Sequence, residues 1–155
     1  MSLLNVVEAH GLTLWLGSMA CWSCIFIITD VRWFWLPQGL VTITAFSNIW
    51  AIYAGYVAPY WPVTLGLIAA FTALWRLYPR GLGSGDVTLF AALALGCDGI
   101  LAYVVLVVAF SSATLVGTIL WALSGRTIFP FGPFLLVGWW LAWQYGKEWL
   151  VWLGW

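Results

Sequence analysis

Two aspartates stand out in this sequence because each adjoins a long run of uncharged residues. Asp30 follows 21 consecutive residues without Asp, Glu, Lys or Arg, and Asp86 precedes eleven more. Ionisable side chains at or within apolar segments are costly, so they are candidates for a functional site by default. Two carboxylates at about 3 Å cannot both ionise, and they titrate as a coupled pair that shares one proton. Such a pair suits hydrolysis, because the ionised member takes a proton from water while the protonated member polarises the scissile carbonyl.

The residues before Asp86 form a Gly-x-Gly-Asp sequence made of Gly83, Ser84 and Gly85. Glycine permits positive φ angles and the close approach of another backbone, so we expect these three residues to support a loop beside the site. The motif is short and occurs by chance in many chains. A second aspartate, Asp30, also adjoins a long uncharged run, and this makes a functional role for the motif more credible.

The composition indicates what kind of molecule holds these carboxylates. Of 155 residues, 65% are hydrophobic and 6% are charged, and five Lys+Arg balance five Asp+Glu. A soluble domain carries about 25% charged residues, and disorder requires low hydrophobicity. Four scattered arginines and one lysine make no basic stripe for a nucleic acid. The sequence therefore predicts an integral membrane protein, with residues 1–155 as one domain.

The charged residues also divide the chain into segments of membrane-spanning length. The uncharged runs are 9–29, 33–75, 87–97, 99–125 and 127–146. A spanning helix needs about 20 apolar residues, and the prolines of segment 59–62 divide the longest run in two. The sequence therefore predicts an all-α bundle of six transmembrane helices. Their approximate ranges are 9–29, 38–58, 61–78, 84–98, 99–124 and 131–146.

The orientation follows from the excess of Lys and Arg in cytoplasmic loops. With the N-terminus outside, the cytoplasmic loops are 30–37, 79–85 and 125–130. These loops and their flanks hold four of the five basic residues, namely Arg32, Arg76, Arg80 and Arg126. Both aspartates then lie at the cytoplasmic face, whereas Asp98 falls in an extracytoplasmic turn.

The cysteines and the histidine give weaker patterns. Cys21 and Cys24 form a Cys-x-x-Cys pair inside the first predicted span, where small side chains commonly pack helices together. A structural zinc site needs about four ligands, and the other candidates are Cys97 and His10. We therefore expect no metal and no cofactor.

Three segments of the chain, taken in order, resemble those of the type IV prepilin peptidases, a family of GxGD membrane aspartic proteases. Residues 30–37 begin with Asp30 and end in Leu-Pro, residues 83–89 contain Gly-x-Gly-Asp, and residues 129–135 contain Pro-Phe-Gly-Pro-Phe. The resemblance covers about residues 9–145 and maps the family's catalytic aspartates onto Asp30 and Asp86. It implies an endopeptidase of the bacterial cytoplasmic membrane that removes the short basic leader of prepilins or pseudopilins at the cytoplasmic face. No metal is implied for that proteolysis.

The sequence departs from the family pattern in three places. Many members carry an additional N-terminal region with paired CxxC motifs and an N-methyltransferase activity. About eight residues precede the first predicted span here, so we expect a short form without methylation. Thr88 stands where Lys is frequent, and Gln38 where Asp or Asn is common. Both changes remove charge near the site and leave the two aspartates in place.

The segment made of Pro130, Phe131, Gly132 and Pro133 is rigid and irregular, at the entrance to the sixth helix. Two roles remain open for it: it lines a groove for the substrate, or it caps the bundle.

Two other functions fit the same residues. One is a non-enzymatic membrane scaffold or a small proton- or ion-coupled transporter, in which Asp30 and Asp86 form the ion site. The other is a GxGD protease that cleaves ordinary signal peptides or other membrane helices. The sequence names neither the pilin nor the pilus or secretion system, and it leaves the oligomeric state open.

Overall fold

The computed structural model describes residues 3–79, 81–125, 129–152 and 154. These residues form six α-helices and no β-sheet, which confirms the predicted all-α class. The helices are α1 (Leu3–Trp33), α2 (Gln38–Tyr53), α3 (Trp61–Leu77), α4 (Ser84–Leu95), α5 (Leu101–Ser124) and α6 (Gly132–Trp152).

Most helices begin within one residue of the predicted position, because the signals for a helix start are local. Pro37 precedes α2 in an extended conformation, and Pro62 lies in the first turn of α3, where a missing N–H costs nothing. Gly83 precedes α4, and its carbonyl accepts the N–H of Asp86 at 3.2 Å. At the other end of a helix, Gly125 adopts φ 65° and closes α5, as glycine commonly does.

The predicted limits of four helices were wrong. α1 begins at Leu3 rather than at residue 9 and continues past Asp30 to Trp33, and α6 extends to Trp152 rather than ending at 146. α2 ends at Tyr53 rather than 58, because Gly55 takes φ 77° and the Tyr56 N–H donates to the Ala51 carbonyl. α4 ends at Leu95 rather than at 98.

α4 lies at the centre of the bundle and contacts α2, α3, α5 and α6. The Asn48 amide of α2 donates to the Ala92 carbonyl of α4 at 2.8 Å and accepts the Trp15 indole N–H of α1 at 3.1 Å. The Trp139 indole of α6 donates to the Leu93 carbonyl at 3.1 Å. These buried hydrogen bonds join α1, α2 and α6 to the central helix.

The two ends of the bundle differ. One end carries the starts of α2, α4 and α6 together with the ends of α1 and α3, so Arg32 and Arg76 lie there. At the opposite end, Asp98 forms a 2.7 Å ion pair with Lys147 and accepts the Ala58 N–H at 3.2 Å. Arg80 and Arg126 are outside the described residues.

The surface is strongly apolar. Leu14, Phe46, Leu65 and Leu115 are each more than half exposed, and they come from four different helices. Soluble monomers rarely expose contiguous apolar area of this extent. The surface is therefore typical of a membrane protein. Among the described helices, α5 and the His10–Trp33 part of α1 are long and apolar enough to cross a membrane. The prediction of six spans stays a prediction.

Candidate active site

Asp30 lies in the last turn of α1, and its carboxylate faces the first residue of α6. The side chain is 6% exposed, and its Oδ2 accepts the Gly132 N–H at 2.9 Å. The first N–H groups of a helix have no partner within the helix and carry a partial positive charge. The start of α6 therefore supplies a hydrogen-bond donor and a helix dipole, which together offset part of the free-energy cost of burying this carboxylate.

Asp86 is the third residue of α4, and its side chain folds back onto the residue that precedes the helix. Oδ2 accepts the Gly83 N–H at 3.2 Å, and the residue is 9% exposed. A carboxylate in the first turn of a helix is also stabilised by the helix dipole. Each aspartate thus has one oxygen fixed by a backbone N–H.

The two aspartates line one cavity of about 390 Å³ at the end of the bundle. The predicted Gly83, Ser84 and Gly85 also line this cavity. The remaining lining residues are Phe34, Trp35, Leu36 and Gln38.

Leu36 packs between the helix that carries Asp86 and the helix whose first N–H binds Asp30, which the sequence did not predict. It is 5% exposed, and a Cβ atom added to Gly85 or Gly132 would lie 3.3 or 3.5 Å from its side chain. Leu36 therefore packs against the starts of both α4 and α6. It belongs to the Leu-Pro end of the 30–37 segment, but nothing in the sequence indicates which helices it touches.

The two departures from the family pattern meet in the structure. The Thr88 hydroxyl donates to the Gln38 side-chain carbonyl at 3.3 Å, which links the first turns of α2 and α4 at the edge of the cavity. The same hydroxyl lies 2.9 Å from the Gly85 carbonyl. A neutral polar pair thus occupies this edge.

The segment 130–133 lies beneath Asp30, and none of its four residues lines the cavity. Gly132 supplies the N–H to Asp30, and Phe131 packs its ring against Phe71 and Phe110 at 6.2 and 5.3 Å between centroids. Pro130 and Pro133 are partly buried on either side. Both roles, a cap on the bundle and a groove for the substrate, stay predictions.

The cysteines lie away from the cavity. Cys21 and Cys24 are exposed on α1, and Cys97 is buried after α4. Within the described ranges, no three His, Cys, Asp or Glu side chains form a group that could hold a metal ion.

The fold and the cavity together define a class: an all-helical protein with an apolar surface and two buried carboxylates in one cavity. Residues 17–123 match the model of the type IV leader peptidase family. This match covers more than half of the chain and includes both Asp30 and Asp86. The chain belongs to the type IV leader peptidase family, whose members are hydrolases.

A curated relative agrees with this assignment. The chain is 28% identical over 147 residues to a prepilin leader peptidase/N-methyltransferase of Xanthomonas campestris pv. campestris. The match covers 84% of this chain and 49% of the relative, so the chain spans about half the length of that protein. No solved structure matches the chain.

Proposed function

We propose that this protein is a membrane-embedded aspartic endopeptidase that removes the short basic leader of type IV prepilins or pseudopilins. One observation carries the proposal: Asp30 of α1 and Asp86 of α4 are buried and line the same cavity. Two interacting carboxylates share one proton, and this is the state that acid–base hydrolysis of a peptide bond requires. Family membership supports a peptidase over a scaffold or an ion-coupled transporter.

In the proposed reaction, a water molecule binds between the two carboxylates. The ionised aspartate takes a proton from the water, whose oxygen forms a bond to the scissile carbonyl carbon. The protonated aspartate donates its proton to the carbonyl oxygen. When the tetrahedral intermediate collapses, the C–N bond breaks and the leaving amine takes the proton held by the first carboxylate. The second carboxylate takes a proton from a hydroxyl of the intermediate as the new carbonyl forms, so the pair again holds one proton. Neither step needs a metal or a cofactor.

The location of the site follows from the charges around it. We propose six spans in the bacterial cytoplasmic membrane, with the cavity at the cytoplasmic face. Arg32 and Arg76 lie at the cavity end of the bundle, as the preference for basic residues on the inner side requires. A prepilin would present its leader at this face while its hydrophobic helix stays in the lipid. Residues 1–155 then act as one peptidase domain.

The proposal is tested with the purified full chain in lipid vesicles and a peptide that carries a basic leader followed by an apolar helix. Asp30→Asn and Asp86→Asn each remove one member of the pair, and we expect each to lower kcat by at least about 10²-fold. Asp98→Asn is the matched control, because Asp98 lies at the opposite end of the bundle. It should retain the wild-type rate.

Wild-type activity in either the Asp30 or the Asp86 variant would reject the dyad. Proton-coupled flux without cleavage would instead favour the transporter. Equal cleavage of an ordinary signal peptide would favour the broader GxGD protease.

A further inference from the structure

A second cavity lies next to the one that holds the two aspartates. It has a volume of about 410 Å³ and lies between α2, α3 and α4. Gln38 lines both cavities, so the second one adjoins the cavity that holds Asp30 and Asp86. We call it the α2–α4 groove, lined by Gln38, Val41, Thr42, Ala45, Phe46, Ile49, Ile68, Thr88, Ala91, Ala92 and Leu95.

The groove runs along the helices rather than across them. Its α2 residues recur every three to four positions from Gln38 to Ile49, and its α4 residues do the same from Thr88 to Leu95, so each set forms one stripe. At 1.5 Å per residue, the α2 stripe is about 17 Å long. The groove therefore leads from the aspartates toward the opposite end of the bundle.

The lining is polar only near the aspartates. Gln38 and Thr88 form their hydrogen bond at that end, and Thr42 already bonds the Gln38 backbone carbonyl. Beyond them almost all of the lining residues are apolar, and three of these, Ala45, Ala91 and Ala92, are small. Small side chains let another helix approach closely inside a membrane.

We propose that the α2–α4 groove binds the first turns of the substrate's hydrophobic helix, on the C-terminal side of the cleaved bond. This inference rests on the proposed function and adds the subsite that it lacks. A basic leader does not enter an apolar groove, because burying a charge without a partner is costly. The hydrophobic segment does, and because the two cavities adjoin at Gln38, a segment bound in the groove places the bond before it beside the two carboxylates.

Photocrosslinking tests the position of the substrate without requiring cleavage. Phe46→p-benzoylphenylalanine places the probe in the groove, in the full-length Asp86→Asn protein in lipid vesicles. Ile43 gives the matched control, because it is exposed on the same helix and does not line the groove. We expect the probe at position 46 to label the apolar segment of the peptide, and the probe at 43 to label lipid. Equal labelling of the peptide from both positions, or labelling of lipid alone from 46, overturns the proposal.

A groove-filling variant tests the same contact through kinetics. Ala91→Leu should raise KM for the peptide with the apolar helix by about tenfold, since one methylene in an apolar pocket changes selectivity by 10-fold or more. Its KM for a peptide that ends just after the cleaved bond should rise less than its KM for the long peptide, and its thermal unfolding in detergent shows that the variant is folded. Ala70→Leu, exposed on α3, should change neither. An unchanged KM for the long peptide in Ala91→Leu contradicts the proposal.

The two tests separate this proposal from the proposed function. Crosslinking of the apolar segment from position 46, in a protein whose wild type cleaves no peptide, would support the groove and reject the peptidase assignment. Cleavage without crosslinking at 46 would support the peptidase and reject the groove.

Discussion

Gly132 controls the geometry around Asp30. Its N–H donates to Asp30 Oδ2, and a Cβ atom at this position would lie 2.6 Å from the same oxygen. Real Cβ atoms do not approach an oxygen so closely, so any larger residue must displace the carboxylate. The displaced atom, Asp30 Oδ2, is at the end of a side chain, so the carboxylate can move while the helix backbone stays in place. A substitution here therefore changes the site more than the stability of the fold.

Gly132→Ala should lower kcat/KM by about tenfold to a hundredfold, because a hydrogen bond to a charged group is worth about 1.5–3 kcal/mol. Displacement of a reacting group adds to this loss. The melting temperature should fall by about 10 °C or less, because 1 kcal/mol corresponds to about 2–4 °C in a chain of this size. Both quantities are measured on the purified protein with the leader peptide.

The control for this variant is Gly39→Ala, in the first turn of α2, where an added Cβ meets no atom within 4 Å. Its activity should be unchanged. Wild-type kcat/KM in Gly132→Ala would show that the position of Asp30 does not depend on this glycine.

The sequence predicted both aspartates but could not predict this contact. Asp30 and Gly132 are 102 positions apart, and hydrophobic periodicity carries no information about which helix start faces which carboxylate. The Pro-Phe-Gly-Pro-Phe segment was recognised, yet its proline content suggested a groove or a cap rather than a donor. Contacts of this kind depend on how the helices pack.

At the scale of the helices, α4 is held by buried apolar side chains and also by hydrogen bonds to its backbone. Asn48 and Trp139 both donate to α4 carbonyls, one turn or more below Asp86. Gly96 permits this approach, since a Cβ there would lie 2.8 Å from the Asn48 amide. The depth of Asp86 in the bundle therefore depends on polar contacts inside an apolar core.

Asn48→Ala should destabilise the fold by roughly 1–3 kcal/mol, because it removes two interhelical hydrogen bonds and leaves the buried Trp15 N–H without its acceptor. The measurement is the unfolding free energy in detergent micelles. Thr118→Ala is the control, because its hydroxyl bonds only the Thr114 carbonyl within α5. A loss in Asn48→Ala no larger than in Thr118→Ala would show that these bonds do not hold α4.

The starts of helices were more predictable than their ends. Pro37, Pro62 and Gly83 act on adjacent residues and give the starts of α2, α3 and α4 to within a residue. The ends were inferred from charges, but a helix continues past a charged residue when that residue reaches water. For this reason α6 includes Lys147 and Glu148, which are both exposed.

At the scale of the whole molecule, the two ends of the bundle carry different charged groups. The cavity end carries Arg32, Arg76 and both buried aspartates, and the other end carries the Asp98–Lys147 pair. Because basic residues are retained in the cytoplasm, this asymmetry favours a cytoplasmic active site. The short α2 and α3, with 16 and 17 residues, fall below the 20 or so that a span requires. A direct measurement of topology is therefore the decisive one for the molecule as a whole.

Labelling with a membrane-impermeant thiol reagent measures which side of the membrane each end occupies. Tyr60→Cys lies between α2 and α3, and Leu77→Cys lies at the end of α3; the two native side chains are 55% and 74% exposed. The Tyr60 N–H that bonds Gly99 belongs to the backbone, so the substitution leaves that contact in place. We expect Tyr60→Cys to react in intact cells and Leu77→Cys to react only after lysis, with the unmodified chain giving the background from Cys21 and Cys24. Labelling of Leu77→Cys in intact cells would invert the orientation, and labelling of both sites from one side would show that α3 does not cross the membrane.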